Sequence, residues 1–265
     1  MADILRFERL DSVALLTLDR PERLNAIGSD THALLRSALD AIESDPALRA
    51  VVVTGSGSVF SAGADISEMR TLTDAESYEA FLLGFHDCYS RLSALATPTI
   101  AAVNGHALGG GFELALACDL RVVARTAKLG LPEIKLGMLP GAGGTQRLTR
   151  LVPMNIAKEL ILAGRTLDAD RAYALGVVNL VADPPDLLPS ALQLARDIAA
   201  GPPRAMAAGK RLLDEGIGLG LPAALELELD TGRALFGQPE ATEGMSAFAD
   251  KRPPRFPGPV ADDAA

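Results

Sequence analysis

The chain has 265 residues, enough for one large domain or a domain with a helical extension. Hydrophobic residues make up 48% and charged residues 22%, the balance of a globular protein, and no uncharged apolar run of about 18 residues marks a membrane helix. A net charge of −9 disfavours a general nucleic-acid surface, which needs a basic stripe, although local cations or helix N-termini can still hold a small anion.

Aromatic residues are only 4% and Trp is absent, so Leu, Val, Ile and Ala must build most of the core. The segment Met-Ala-Asp-Ile at residues 1–4 lacks the basic and long apolar regions of a secretion signal. Residues 3–9 and 12–18 read as two strands joined at Asp11-Ser12. After the break Asp19-Arg20-Pro21, residues 30–43 read as a helix. Leu34, Leu35, Ala38, Leu39 and Ile42 recur on one face, with Ser29 or Asp30 as cap.

Residues 50–54 form a buried strand, followed by a Gly/Ser-rich loop from Gly55 to Gly63. A long helix is expected over 74–95. Thr73 and Glu76 form its capping box, and Tyr78, Phe81, Leu82, Phe85, Tyr89 and Leu92 its buried face. A second buried strand, 99–103, runs through Asn104-Gly105 toward Gly109-Gly110-Gly111, a short helix over 111–117 and a strand over 119–124. This alternation is α/β punctuation. Helices then dominate, over 153–163, 168–175, 186–200, 203–214, 221–235 and 239–250. Gly164, Gly176 and Gly201 sit at helix ends, and a boundary falls at Gly201-Pro202-Pro203. Beyond Pro253 the composition is that of a loose tail.

Cys88 and Cys118 fit neither a metal spacing nor a disulfide framework, and Cys118 ends an apolar stretch from Ala115. These features point to a soluble protein of a reducing compartment. His32 and His86 lie in helical patterns and read as surface or boundary residues, whereas His106 lies near the glycines. No metal-ligand spacing, catalytic triad or nucleophile elbow is present.

Three segments could carry chemistry. Phe60-Ser61-Ala62-Gly63-Ala64-Asp65-Ile66 follows a buried strand, and its small residues let a ligand approach free backbone N–H groups. Taken alone, this loop reads first as an ordinary glycine-rich connection. Gly109-Gly110-Gly111 precedes a helix whose unpaired N–H groups suit a developing oxyanion. Glu113 stands in that helix's first turn, where an acid can simply complement the dipole. Glu133 lies among apolar residues, where desolvation raises a carboxyl pKa, unless it pairs with Lys135 or Arg147. Gly141–Gly144 leads into a helix over 145–151 but lacks the Gly-Lys-Ser/Thr element of a phosphate loop. Gly105, Gly109 and Gly110 lack dinucleotide-fingerprint spacing.

In this order, the segments resemble the crotonase family, the enoyl-CoA hydratases and isomerases. The resemblance takes in Asn25-Ala26, residues 60–69, 100–113 and 132–148, and the stretch Glu243-Gly244-Met245-Ser246-Ala247-Phe248-Ala249-Asp250-Lys251-Arg252. Ala62-Gly63-Ala64-Asp65-Ile66 and the run from Asn104 to Glu113 carry most of its specificity. Pro140-Gly141-Ala142-Gly143-Gly144-Thr145-Gln146-Arg147-Leu148 is similar to the hydratase branch.

The resemblance implies an α/β fold, a crotonase-type spiral of ββα turns over 1–200. A C-terminal helical region over 201–265 would build a homotrimer or a hexamer of two trimers. It implies an oxyanion hole from the N–H groups of Ala64 and Gly110, with Glu113 and Glu133 as catalytic acid/base residues. Substrate and CoA contacts would come from Leu24, Ala26, Ala62, Asp65, Ile66, Leu108, Gly109, Pro132 and Gly141. Phe248 and Lys251 would reach a neighbouring subunit's CoA. No metal and no separate cofactor is expected, because CoA is part of the acyl-CoA thioester substrate. The expected setting is the cytoplasm of a bacterium, with no nucleic-acid or membrane partner. By resemblance, Glu113 helps activate water for attack at Cβ and Glu133 supplies the proton to Cα. Glu at both positions favours an enoyl-CoA hydratase over a Δ3-Δ2-enoyl-CoA isomerase or another crotonase-fold lyase or hydrolase. The net charge of −9 speaks against an RNA-binding protein of this fold, and the intact pair of Glu residues against an inactive scaffold.

Overall fold

The hairpin of β1 (Leu5–Leu10) and β2 (Val13–Leu18) turns at Asp11, which adopts the left-handed conformation (φ 55°) that a short polar side chain tolerates. The computed structural model describes residues 4–256. From β2 the chain enters α1 (Ser29–Ser44), then β3 (Ala50–Gly55), β4 (Val59–Ser61), α2 (Ile66–Met69) and α3 (Ala75–Ala94). The same strand–strand–helix sequence recurs in β5 (Thr99–Val103), β6 (His106–Leu108) and α4 (Gly110–Ala117). It recurs again in β7 (Leu120–Ala124), β8 (Lys128–Gly130) and α5 (Gly144–Thr149).

Each turn of this spiral gives its first strand to one sheet and its second to another. The larger sheet has the order β1-β2-β3-β5-β7-β10, where β10 is Leu180–Ala182, and is parallel from β2 onward. The smaller has the order β4-β6-β8-β9, where β9 is Thr166–Asp168. Between α5 and β10 lie α6 (Met154–Leu162) and α7 (Ala169–Ala174). The helix α8 (Leu187–Ala199) lies across β2, β3, β5 and β7, burying Leu187, Ala191, Ala195 and Ala199. The central strands are therefore buried on both faces, which explains their unbroken Val/Ile/Ala runs.

Several local expectations change. The helix α3 is capped by Asp74 with Ser77 rather than by Thr73 with Glu76. Gly28, which has no side chain to offer, is the N-cap of α1. Glu68 supplies the missing acceptor from another element, taking the Ser29 N–H at 3.0 Å. His32 is buried, not at the surface. Three-residue strands, β4 among them, interrupt stretches that read as loops or helix ends. Residues 257–265 of the C-terminal tail lie outside the described residues.

The C-terminal helices are α9 (Pro203–Gly216), α10 (Leu221–Phe236) and α11 (Pro239–Ala249). Lys210 ties α9 to Asp119 at 2.8 Å, and Glu240 on α11 accepts the backbone N–H groups of Arg204 and Ala205. A cleft of about 900 Å³ lies between α9, α10 and the end of α1.

Candidate active site

A second cavity, of about 300 Å³, opens between the Ala62–Ile66 loop, α3, the start of α4 and the segment 132–142. It is mostly apolar, and the carboxyl groups of Glu113 and Glu133 are its acids. Such a cavity with few convergent polar groups is the expected form of a small-molecule site.

One wall is backbone. The chain at 62–65 runs beside residues 24–27. Ala62 donates to the Leu24 carbonyl at 2.9 Å, Ile27 to Gly63 at 2.8 Å and Asp65 to Ile27 at 2.8 Å. These bonds flank Ala64 and leave its own N–H without an acceptor among the described residues. Gly109 has φ 53° and ψ −129°, open only to glycine, and this turn starts α4 with the Gly110 N–H likewise unpaired. The two free groups adjoin. A Cβ placed on Gly63 would lie 3.0 Å from the Gly110 nitrogen, and one on Gly110 would lie 3.4 Å from the Ala64 nitrogen. Two preorganised donors this close together suit an oxygen that gains negative charge during a reaction.

Asp65 keeps this loop in place. Its carboxylate caps α2 through the N–H groups of Ser67 (2.9 Å) and Glu68 (3.4 Å), and pairs with Arg20 at 3.1 Å. Burial works against its charge, but those N–H groups and Arg20 outweigh it, and the carboxyl stands below the usual range. Asn25 does similar work one layer back. It is buried, and its amide donates to the Ser56 and Val59 carbonyls at 2.9 and 2.7 Å.

Glu113 is 2% exposed. Its Oε1 accepts the N–H groups of Ala142 at 2.8 Å and Gly144 at 2.7 Å. Those donors come from the loop that starts α5, so Glu113 serves a neighbouring helix rather than the dipole of its own. Arg147 fixes the loop by donating to the Ala142 carbonyl at 2.9 Å. Gly143 (φ 101°) admits the guanidinium, because a Cβ there would fall 2.1 Å from Arg147 Nη1. Burial pushes the Glu113 carboxyl up, and the two N–H groups and the Arg147 charge hold it back in part.

Glu133 rides on a 3-10 turn, Pro132–Leu136, opened by its proline. It forms no ion pair with Lys135 or Arg147. Its Oε2 is buried without a hydrogen-bond partner among the described residues. Burial, helped by the charge of Glu113 and opposed by its own backbone N–H, raises its pKa to about 7. Gly109 clears space for it, since a Cβ there would lie 3.0 Å from Glu133 Oε1. Two carboxyl groups thus face one apolar cavity beside two free N–H donors, and one of them is poised to exchange a proton near neutral pH.

The cavity brings together Ala62, Ala64, Ile66, Gly109, Gly110, Glu113, Pro132, Glu133 and Gly141. Leu24, Ala26 and Leu108 lie in the adjoining backbone and do not line it; Leu24 is 52% exposed. Phe248 and Lys251, at the end of α11, also do not line it. His106 is exposed, and its Nδ1 accepts the Lys128 N–H. The aromatic wall of Tyr78, Phe81 and Phe85 was legible only as the buried face of a helix. The Ala142 and Gly144 donors gave no signal beyond the glycine run.

Comparison with known proteins fits this arrangement. A family model described as enoyl-CoA hydratase/isomerase matches residues 8–259. The chain is 40% identical to a short-chain-enoyl-CoA hydratase of Clostridium acetobutylicum, over 92% of this chain and 94% of the relative. It is also 40% identical to a crotonyl-CoA hydratase of Syntrophomonas wolfei, over 94% of this chain and 96% of the relative. The crystal structure of an enoyl-CoA hydratase from Bacillus anthracis superposes with a TM-score of 0.94 at 34% identity, covering 97% of this chain and all of the other.

Proposed function

Because the chain belongs to the enoyl-CoA hydratase/isomerase family, we propose that it adds water across the 2,3 double bond of a 2-enoyl-CoA to give a 3-hydroxyacyl-CoA. The observation that carries this reading is the pair Glu113 and Glu133 in one apolar cavity beside the free N–H groups of Ala64 and Gly110. The thioester carbonyl accepts both N–H groups. As water adds at Cβ, electron density moves through Cα onto that oxygen, where the two donors stabilise the enolate. Glu113, with Oε1 held by two N–H groups, keeps Oε2 for the water and takes its proton as the C–O bond forms. Glu133, whose pKa of about 7 leaves much of it protonated at neutral pH, delivers a proton to Cα. The C=C π bond, one O–H bond of water and the Glu133 O–H bond break, C–O, C–H and Glu113 O–H bonds form, and proton exchange between the carboxyl groups and solvent restores the site.

The names of the relatives and the small cavity support a short acyl chain, so crotonyl-CoA is the first substrate to test. Its hydration is read as loss of the enoyl absorbance. Glu113→Gln and Glu133→Gln should each lower kcat by roughly 10²–10⁴-fold, the range of a lost general acid or base, with unchanged circular dichroism. Normal turnover in either variant rejects the two-carboxylate mechanism. Much faster turnover of a 3-enoyl-CoA than of its 2-enoyl isomer would assign double-bond migration instead.

A further inference from the structure

Tyr89 is fully buried on α3, and its hydroxyl donates to the Gly110 carbonyl at 2.8 Å. Gly110 lines the cavity with its N–H unpaired among the described residues, and Glu113 follows one helical turn later. The hydroxyl therefore grips the same turn that presents both a donor and a carboxylate. Burial, with the charge of Glu113 next, keeps the phenol neutral and so always a donor.

The rings behind it are stacked edge to face. Phe85 lies 5.6 Å from Tyr89 at 83°, and His32 lies 4.3 Å from Phe85 at 76°. A Cβ on Gly110 would meet the Phe85 ring at 3.1 Å. His32 enters this file at a cost. Its Nε2 is buried without a partner among the described residues, and α3 carries Gly84 because a Cβ there would lie 2.3 Å from His32 Nδ1. A glycine inside a helix and an unpaired buried nitrogen both work against stability. Both are accounted for if the file has to be rigid.

We propose that Tyr89 is a positioning residue, whose hydroxyl holds the first turn of α4 so that the Gly110 N–H meets the thioester oxygen while Glu113 meets the water that adds to Cβ. This rests on the hydratase reading for its chemistry, but not for its geometry.

Tyr89→Phe in the full-length protein keeps the ring and removes one hydrogen bond. It should lower kcat for crotonyl-CoA roughly five- to tenfold, the scale of one hydrogen bond, while KM moves less than about twofold. A second measurement needs no turnover. Acetoacetyl-CoA can bind as an enolate, whereas butyryl-CoA cannot. The variant should lose affinity for the former by a similar factor and keep affinity for the latter. A merely structural tyrosine would lower the melting temperature and leave kcat and this affinity ratio unchanged, and that result overturns the proposal. If the parent protein binds both thioesters but fails to hydrate crotonyl-CoA, the functional reading falls. The affinity ratio then still decides the role of Tyr89.

Discussion

Glu133 is an acid by sequence, and its burial lets it keep its proton to a higher pH than an ordinary carboxyl group. Its pKa of about 7 lies above the ordinary 4.5 because burial penalises the charged form. If Glu133 supplies the proton to Cα, kcat/KM for hydration falls as pH rises through about 7. A profile flat from pH 6 to 9 would remove it from that role. The same shift sets a stability trend. The folded state holds the proton more tightly than the unfolded chain, so this contribution is complete below pH 4.5 and is lost as pH rises through about 7. Glu133→Gln is always neutral and should unfold later than the parent at pH 8, by ~1–2 kcal/mol after screening by pocket water. The two proteins should match near pH 4, where both side chains are neutral; denaturant titrations at both pH values measure this. At this scale sequence shows residue types but not which atoms meet. Glu133 stood among apolar neighbours, so its desolvation could be read. That Glu113 takes N–H groups from residues 142 and 144 depends on contacts across 29 and 31 positions. Tyr89 looked like any core residue at helical spacing.

Each candidate group sits where one turn of the spiral passes from its short second strand to its helix. The step from β6 into α4 is the tightest of these. Gly109 combines a positive φ with close approach to Glu133, so Gly109→Ala both strains the backbone and displaces a carboxyl group. We expect loss of most hydration activity and a destabilisation of ~1–3 kcal/mol, checked by turnover and by denaturant midpoint. Activity near that of the parent would show that the turn has slack. The elements legible in the sequence are the long ones, such as β3, β5 and α3, whose apolar runs or helical period extend over several residues. The second sheet was not legible. Strands such as His106–Leu108 and Lys128–Gly130 are three residues long, too short to display an alternating pattern. The cap of α1 was missed for a related reason: its acceptor is Glu68, 39 positions away.

The spiral buries its sheets, but the C-terminal helices leave apolar surface uncovered. On α10, Leu221, Leu225, Leu229 and Phe236 fall on one stripe at helical spacing, and Phe236 is 72% exposed. Leu213 on α9 and Ile217, the C-cap just beyond it, are also exposed, four residues apart. A helix normally turns such a stripe toward a partner. The homotrimer or hexamer that we propose from the resemblance would supply one, and would also give a place to Phe248, 87% exposed and outside its own chain's cavity. Sedimentation should therefore give a multiple of the 27.6 kDa chain mass. Leu225→Lys with Leu229→Lys should bring the particle down to one chain with its helicity intact. If Phe248 and Lys251 serve a neighbour's CoA, that single chain keeps its carboxylate pair and oxyanion donors but loses part of its nucleotide grip. KM should then rise roughly tenfold, about 1.4 kcal/mol of binding, with kcat changed far less. A monomeric parent protein would refute the assembly. A monomeric variant with parental KM would instead confine the whole thioester site to one chain.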